Sequence, residues 1–250
     1  IYTGEDTLSL HDALPILVEG PTMRELIQRG FLTDYRIFAP PSDLDLSSVA
    51  ISVATGDYSA NAMRAAVKAS HVVGDVVEHY KRLAMGKLGV TFASDVETAT
   101  DIASRFRAEG VPAEVVSGKT PDHLRASILR RFKNREILQL VNVDLFGEGF
   151  DLPAIEVVSM ARPTRSFSLF CQQFGRALRP MPGKDRAIII DHVGNCMLHG
   201  LPDAVRVWSL DRREKRSSGP AGGIPVRVCA SPICLFVYER VLLSCPFCGH

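Results

Sequence analysis

The run Gln172-Gln-Phe-Gly-Arg176-Ala-Leu-Arg179 gathers the side chains best suited to phosphate chemistry. A guanidinium presents a planar fork of donors that meets phosphate oxygens two at a time, and it stays charged at any physiological pH. Against a triphosphate it can neutralise the charge that builds as the terminal phosphoryl group leaves. On a helix, a glutamine four residues before one arginine and a second arginine three residues after it share a face, so Gln172, Arg176 and Arg179 are predicted to project together. Gly175 between them would leave room for another backbone to approach. A solvated basic helix end would show the same charges, because cations are favoured at helix C-termini.

Upstream, Asn142-Val-Asp144-Leu-Phe-Gly147-Glu-Gly149-Phe-Asp151-Leu-Pro153 follows an apolar run directly. Its two glycines permit backbone angles closed to other residues. A third group closes the chain: Cys229-x4-Cys234 and Cys245-Pro-Phe-Cys248, two pairs ten residues apart. Thiolates at this spacing suit a tetrahedral four-cysteine zinc site of ribbon type, with Gly249 letting backbone donors approach the sulfurs. Disulfides are the alternative, in a chain with no sign of secretion. His250 could also ligate, though four cysteines suffice. A tail this small has too little core to fold without metal, which makes its role structural or nucleic-acid-binding. Cys171 and Cys196 stand alone and read as buried structural thiols. Asp191, His192, Asn195 and His199 read as hydrogen-bonded structural residues, with no catalytic role.

These groups need a scaffold, and residues 88–191 supply one by alternating strand and helix patterns. Leu88–Ala93, Val111–Val116, Ile137–Val143, Ile155–Met160 and Arg186–Asp191 are predicted strands. Ser94 and Glu97 have capping-box spacing. The helix after them carries Val96, Ala99, Ile102, Ala103 and Phe106 on one face and stops at Gly110. Thr120-Pro121 is predicted to open a helix with Leu124, Ile128 and Phe132 inward. Phe167–Leu178 reads as one helix, and others are placed at Ala60–Ala69 and Asp75–Gly86. Strands alternating with helices predict an α/β fold, a parallel sheet covered by helices on both faces, with ligands at the carboxyl ends of the strands.

Composition is ordinary for a folded protein: of 250 residues, 46% are apolar and 23% charged, which excludes disorder and collagen-like repeats. No apolar run approaches the roughly 20 residues of a membrane span, so no membrane partner and a cytoplasmic location are expected. Arg162–Arg216 holds eleven basic and five acidic residues, as a phosphate-facing surface would; a solvated face is the bland alternative. Residues 1–16 (IYTGEDTLSLHDALPI) resemble the conceptual translation of a sequencing-library adapter, so the natural start of the protein is expected to lie upstream.

The segment from Asn142 to Pro153 resembles motif V, and Gln172–Arg179 resembles motif VI (Q-x-x-G-R-x-x-R), of superfamily 2 DEAD/DEAH-type helicases. Order and separation resemble those of the second, RecA-like lobe. The resemblance implies that Arg179 is an arginine finger on the ATP γ-phosphate, Arg176 a second phosphate contact, and Gln172 their orienting residue. Gly147, Gly149 and Asp151 would contact the nucleotide. Asn142, Asp144, Ser117, Gly118 and Ser94 would lie on the nucleic-acid side, with DNA ahead of RNA as the partner and no oligomeric state implied. ATP and Mg2+ would be held mainly by another lobe. Neither G-x-x-x-x-G-K-[ST] nor D-E-x-[DH] occurs in the chain, and Ala113 stands where Gly118-Lys119-Thr120 would need its upstream glycine. The chain is therefore expected not to turn over ATP alone. The implied organisation is 17–42 as the end of a first lobe and its crossing, 43–211 as the RecA-like lobe, 212–224 as a linker, and 225–250 as a zinc-binding module. A non-catalytic nucleic-acid-binding protein with a helicase-like lobe and zinc tail is the alternative; a different Rossmann-like enzyme, such as a nucleotide-sugar transferase, is the weaker third.

Overall fold

The computed structural model describes residues 18–143, 155–204, 206 and 224–250. Five strands run where the sequence places them: β2 (Gly89–Ala93), β3 (Ala113–Ser117), β4 (Gln139–Val143), β5 (Val157–Ala161) and β6 (Ala187–Asp191). A sixth, β1 (Tyr35–Phe38), comes from the stretch before residue 43, so the lobe's sheet starts earlier than the sequence suggests. The order is β1-β6-β5-β2-β4-β3, and every neighbouring pair is parallel. β2, β4 and β5 are buried at every position. Strands covered on both sides leave no face for polar alternation, which is why they read as mostly apolar runs.

Helices flank the sheet. α3 (Val72–Ala84) and α4 (Val96–Ala108) pack together, with Tyr80 and Phe106 edge to face at 5.4 Å. α2 (Ala60–Ala69) buries Met63 and Val67 against Val49 in a small separate cluster. α5 (Asp122–Lys133) contributes Ile128 and Phe132, and α6 (Phe167–Gly175) contributes Phe170 and Phe174. The short α7 (Asn195–His199) follows β6. Last comes an antiparallel hairpin, β7 (Val226–Val228) with β8 (Val237–Glu239). Among the described residues no helix is long and apolar enough to cross a membrane.

Two helix starts differ from the sequence pattern, for local electrostatic reasons. α4 is capped by Asp95, whose Oδ1 accepts from the Thr98 N–H at 3.0 Å, and not by Ser94. A carboxylate is the stronger acceptor and is favoured by the positive end of the helix dipole; Ser94 instead donates its hydroxyl to Asp95 Oδ2 at 2.8 Å. α5 starts one residue late, with Pro121 at the cap position, because Thr120 Oγ1 is occupied by the Ser117 N–H at 3.0 Å. Val96 and Leu124, expected inside, are exposed. Gly110, at φ +76°, does terminate α4 in the left-handed conformation that glycine adopts without strain.

Candidate nucleotide-facing and metal-binding sites

The loop that starts α6 is fixed by polar contacts from three directions. The Thr164 N–H donates to Asn195 Oδ1 at 3.0 Å, and the Asn195 amide donates back to Arg162 O at 3.0 Å. Asp57 accepts from Thr164 Oγ1 at 2.7 Å and from the Arg165 N–H at 2.6 Å. A ring nitrogen of His199 meets Thr164 O at 2.8 Å. Ser166 Oγ then caps α6 by accepting from the Leu169 N–H at 3.3 Å. Asp191, Asn195 and His199 thus serve backbone groups, Asp191 by accepting from the N–H groups of Val193 and Cys196. His192 is different: it is buried, neither ring nitrogen has a hydrogen-bond partner among the described residues, and burial together with nearby His79 pulls its pKa down to about 3. Burial also pushes the Cys171 thiol up to about 11 and that of Cys196 well above its usual range, so both are inert.

α6 ends sooner than its sequence pattern. The α-helix stops at Gly175, Arg176–Leu178 form a single 3-10 turn, and Arg179 is extended at ψ 127°. Proline is the cause, since the residue before it is driven out of the helical region and Pro180 follows Arg179. Gln172 is exposed on α6, Arg176 is half-buried at its end, and Arg179 is exposed beyond it. A Cβ at Gly175 would meet nothing within 4 Å among the described residues, so close backbone approach does not explain that glycine. Gln173 is buried, and among the described residues neither of its amide atoms has a partner; nor have the hydroxyls of Thr91 and Ser159, neighbours in the β2–β5 register.

The candidate residues lie towards both ends of the strands. A crossover helix runs back antiparallel to the strands, so its last residues reach their amino ends. Leu178 O accepts from the N–H of Thr33, just before β1, at 2.8 Å, and Phe174 packs edge-on against Tyr35. Gln172 lies on α6 within this same return, whereas Ser94 follows the carboxyl end of β2, Ser117 is the last residue of β3 and Gly118 follows it. Asn142 is buried in β4 beside Phe92 and Val116. Five-residue strands put these two edges about 15 Å apart. At the carboxyl edge Ser117 Oγ accepts from the Lys119 N–H at 3.3 Å and Gly118 is exposed. Asp144, Gly147, Gly149 and Asp151 lie outside the described residues, as do residues 1–16 and most of 212–224.

The four tail cysteines meet in one place. Their sulfurs all lie within 4.8 Å of one another, with Cys229 to Cys248 at 3.6 Å and Cys234 to Cys245 at 3.8 Å. All are free thiols. Zinc–sulfur bonds of about 2.3 Å in a tetrahedron set sulfurs about 3.7 Å apart, so the donor set fits that ion. The Ser231 N–H reaches Cys229 Sγ at 3.4 Å, and backbone groups of Phe236 and His250 bond the sulfurs of Cys234 and Cys248. Burial pushes the Cys234 thiol up to about 12, while the His250 backbone holds that of Cys248 below its ordinary value. Gly249, at φ +78°, turns the chain so that its N–H meets Cys245 O at 2.8 Å.

Residues 73–181 match the model of the family described as helicase conserved C-terminal domain. Among curated proteins it is similar to the 51.5 kDa protein of Lactococcus phage (isolate 7-9), with 35% identity over 241 residues, 96% of this chain and 52% of the relative. It is also similar to the putative ATP-dependent helicase IRC3 of Saccharomyces cerevisiae (strain ATCC 204508 / S288c), with 29% identity over 174 residues, 68% of this chain and 25% of that protein. The E. coli DEAD-box protein SrmB, solved bound to regulator of ribonuclease activity A, matches 64% of this chain and 78% of its own at 17% identity and a TM-score of 0.45. The chain thus spans about half the length of the phage relative and a quarter of the yeast one.

Proposed function

We propose that this chain is the second lobe of an ATP-dependent superfamily 2 helicase or translocase, and that Arg179 reaches the γ-phosphate of ATP held with Mg2+ by a first lobe. The observation that carries this reading is the placement of Arg179: exposed, past the end of α6, in an extended backbone set by Pro180. An arginine so placed can cross a cleft, where one within a helix would lie along its own surface. Arg176 makes a second phosphate contact and Gln172 orients the pair. Gly147, Gly149 and Asp151 belong to the nucleotide side. Ser94, Ser117, Gly118, Asn142 and Asp144 belong to a nucleic-acid track at the opposite edge, whose contacts to a phosphate backbone are salt-dependent and largely blind to sequence. Competition between single-stranded DNA and RNA decides which strand is preferred, with DNA put first. Cys229, Cys234, Cys245 and Cys248 hold one zinc ion, which would fix the tail as a folded module.

The test uses this chain joined to the first lobe that this reading requires. Nucleic-acid-stimulated ATP hydrolysis is expected, and Arg179→Ala should cut turnover about 10³-fold while nucleotide binding persists. Survival of turnover in that variant refutes the finger. An upstream sequence with neither phosphate loop nor acidic box favours the non-catalytic nucleic-acid-binding alternative.

A further inference from the structure

Of the residues set on the nucleic-acid side, Ser94 and Asn142 are buried, and the Ser94 hydroxyl is already given to Asp95. The same edge of the sheet carries a more accessible pair. β5 ends at Ala161, in register with Ala93 at the end of β2, so residues 162–165 emerge at the edge where Ser94 lies. Arg165 is exposed there, and among the described residues its guanidinium makes no hydrogen bond or ion pair. It lies instead over the ring of Tyr58, 6.0 Å from the centroid. Asp57 builds this arrangement. Its carboxylate accepts from the N–H groups of Tyr58 at 2.8 Å and Arg165 at 2.6 Å, besides the Thr164 hydroxyl. The loop that carries Tyr58 is pinched by two backbone bonds, Ser52 N–H to Asp57 O at 2.8 Å and Ser59 N–H to Ala50 O at 2.7 Å. Tyr58 is half-buried against the cluster of Val49, Met63 and Val67, while Ile51 and Val53 in the same loop are exposed.

We propose that Tyr58 and Arg165 form a stacking subsite for one base of a nucleic-acid single strand. The proposal rests on the reading of this edge as a nucleic-acid track, and adds a contact to a base where that reading has contacts to the backbone. A guanidinium is planar and weakly hydrated, so a base can stack on its face while its charge serves a neighbouring phosphate. The ring beneath is already packed against the fold, so little freedom is lost when the strand arrives. Charge favours the same occupant. Residues 51–58 and 162–166 hold two arginines and one acidic residue, Asp57, whose oxygens are taken by three donors. The strand must be single, because the bases of a duplex are stacked on one another and offer no free face. Every base has a π-face, so the subsite grips a nucleotide without reading its identity. A protein that steps along a strand needs a grip of that kind.

The experiment measures binding of labelled oligo-dT, oligo-U and an abasic strand of equal length to this chain joined to a first lobe. The parent is compared with Tyr58→Ala, Tyr58→Phe, Arg165→Lys and Arg165→Ala. Tyr58→Ala and Arg165→Lys are each expected to weaken oligo-dT about 5- to 100-fold and to leave the abasic strand as it was. Tyr58→Phe, which keeps the ring, should recover most of the affinity. Arg165→Ala should in addition flatten the log–log salt dependence by about 0.7. A loss on oligo-U as well extends the subsite to RNA, and a loss on one strand type alone supports it for that type. Thermal melting guards against a folding defect in Tyr58→Ala; should that variant melt early, Arg165→Lys, an exposed change, decides. If Arg165→Lys restores all that Arg165→Ala loses, the arginine meets phosphate only and the stacking subsite is overturned. If the parent binds every strand and no variant alters the affinity, the subsite is wrong and the track stands. If the parent binds none of the strands, the underlying reading fails and the subsite with it.

Discussion

Phe247, between the clustered cysteines Cys245 and Cys248, packs edge-on against Phe38 of edge strand β1, with ring centroids 5.7 Å apart and planes at 83°. Phe236 completes the cluster, stacked on Phe247 at 5.3 Å, and the Arg36 guanidinium covers Phe247 at 4.7 Å. The backbone joins in, since the Ala39 N–H donates to Leu235 O at 2.8 Å, and Val226 and Val237 belong to the lobe's own core. The cysteine module therefore covers an edge strand whose unpaired backbone would otherwise invite aggregation.

Loss of the metal is accordingly expected to loosen β1 as well as the tail. Stripping zinc with a chelator should lower the melting temperature of the chain and speed hydrogen exchange at Arg36–Ala39. Phe247→Ala, which removes two ring contacts and a cation–π contact, should destabilise by about 1–2 kcal/mol. Metal analysis should give one zinc per chain. Exchange at β1 that ignores the chelator would sever the module from the lobe.

The cap of α4 separates two neighbouring residues. Asp95→Ala is expected to cost about 1–2 kcal/mol, and Ser94→Ala well under half of that, measured by urea unfolding. Burial would raise the Asp95 pKa, but hydrogen bonds from Thr98 and Ser94 and the charge of Arg64 outweigh it and hold the carboxyl below its usual value. A group so lowered stabilises the fold above its unfolded pKa, and the stabilisation is lost as pH falls through the folded one. The Asp95→Ala variant should therefore lose less stability than the parent on acidification below about pH 4. Equal costs for the two alanine variants would restore Ser94 as the cap.

These caps mark where the sequence was legible and where it was not. Strands β2, β4 and β5 were visible because two-sided burial favours mostly apolar runs, and α2 was found to the residue because Met63 and Val67 fall on one helical face. β1 was missed because Tyr35-Arg-Ile-Phe38 is short, carries a charge and covers an edge that another module shields. The early end of α6 at Gly175 was also legible, since Pro180 drives Arg179 out of the helical region. The Asp57 contribution had no sequence signal, because it joins residues 107 and 108 positions apart.

His192 gives the chain an acid-sensitive core. Unfolded, its imidazole takes a proton below about pH 6.5; folded, it resists down to about 3. The unfolded state therefore binds more protons across that window, and stability falls as pH falls through it, with a slope approaching about 1.4 kcal/mol per pH unit. Urea unfolding at pH 7, 6 and 5 should show this slope, and His192→Phe should flatten it. A slope that survives the substitution assigns the proton to another group.

Asp57 ties the segment before α2 to the loop that launches α6, and its two carboxylate oxygens hold Thr164 Oγ1 and the Arg165 N–H. A backbone N–H and a buried hydroxyl would lose a charged acceptor together in Asp57→Ala, a cost of about 2–3 kcal/mol. Asp57→Asn keeps one acceptor and should lose about half as much. The consequence should travel along α6, because Thr164 also positions Ser166, whose N–H bonds Thr164 Oγ1 at 3.0 Å and whose hydroxyl caps the helix. Faster hydrogen exchange in the first turn of α6, with the β2–β4–β3 half of the sheet unchanged, is the expected signature. If instead the whole sheet exchanges faster, Asp57 supports the fold globally and has no special part in setting the helix that carries Gln172 and leads to the two arginines.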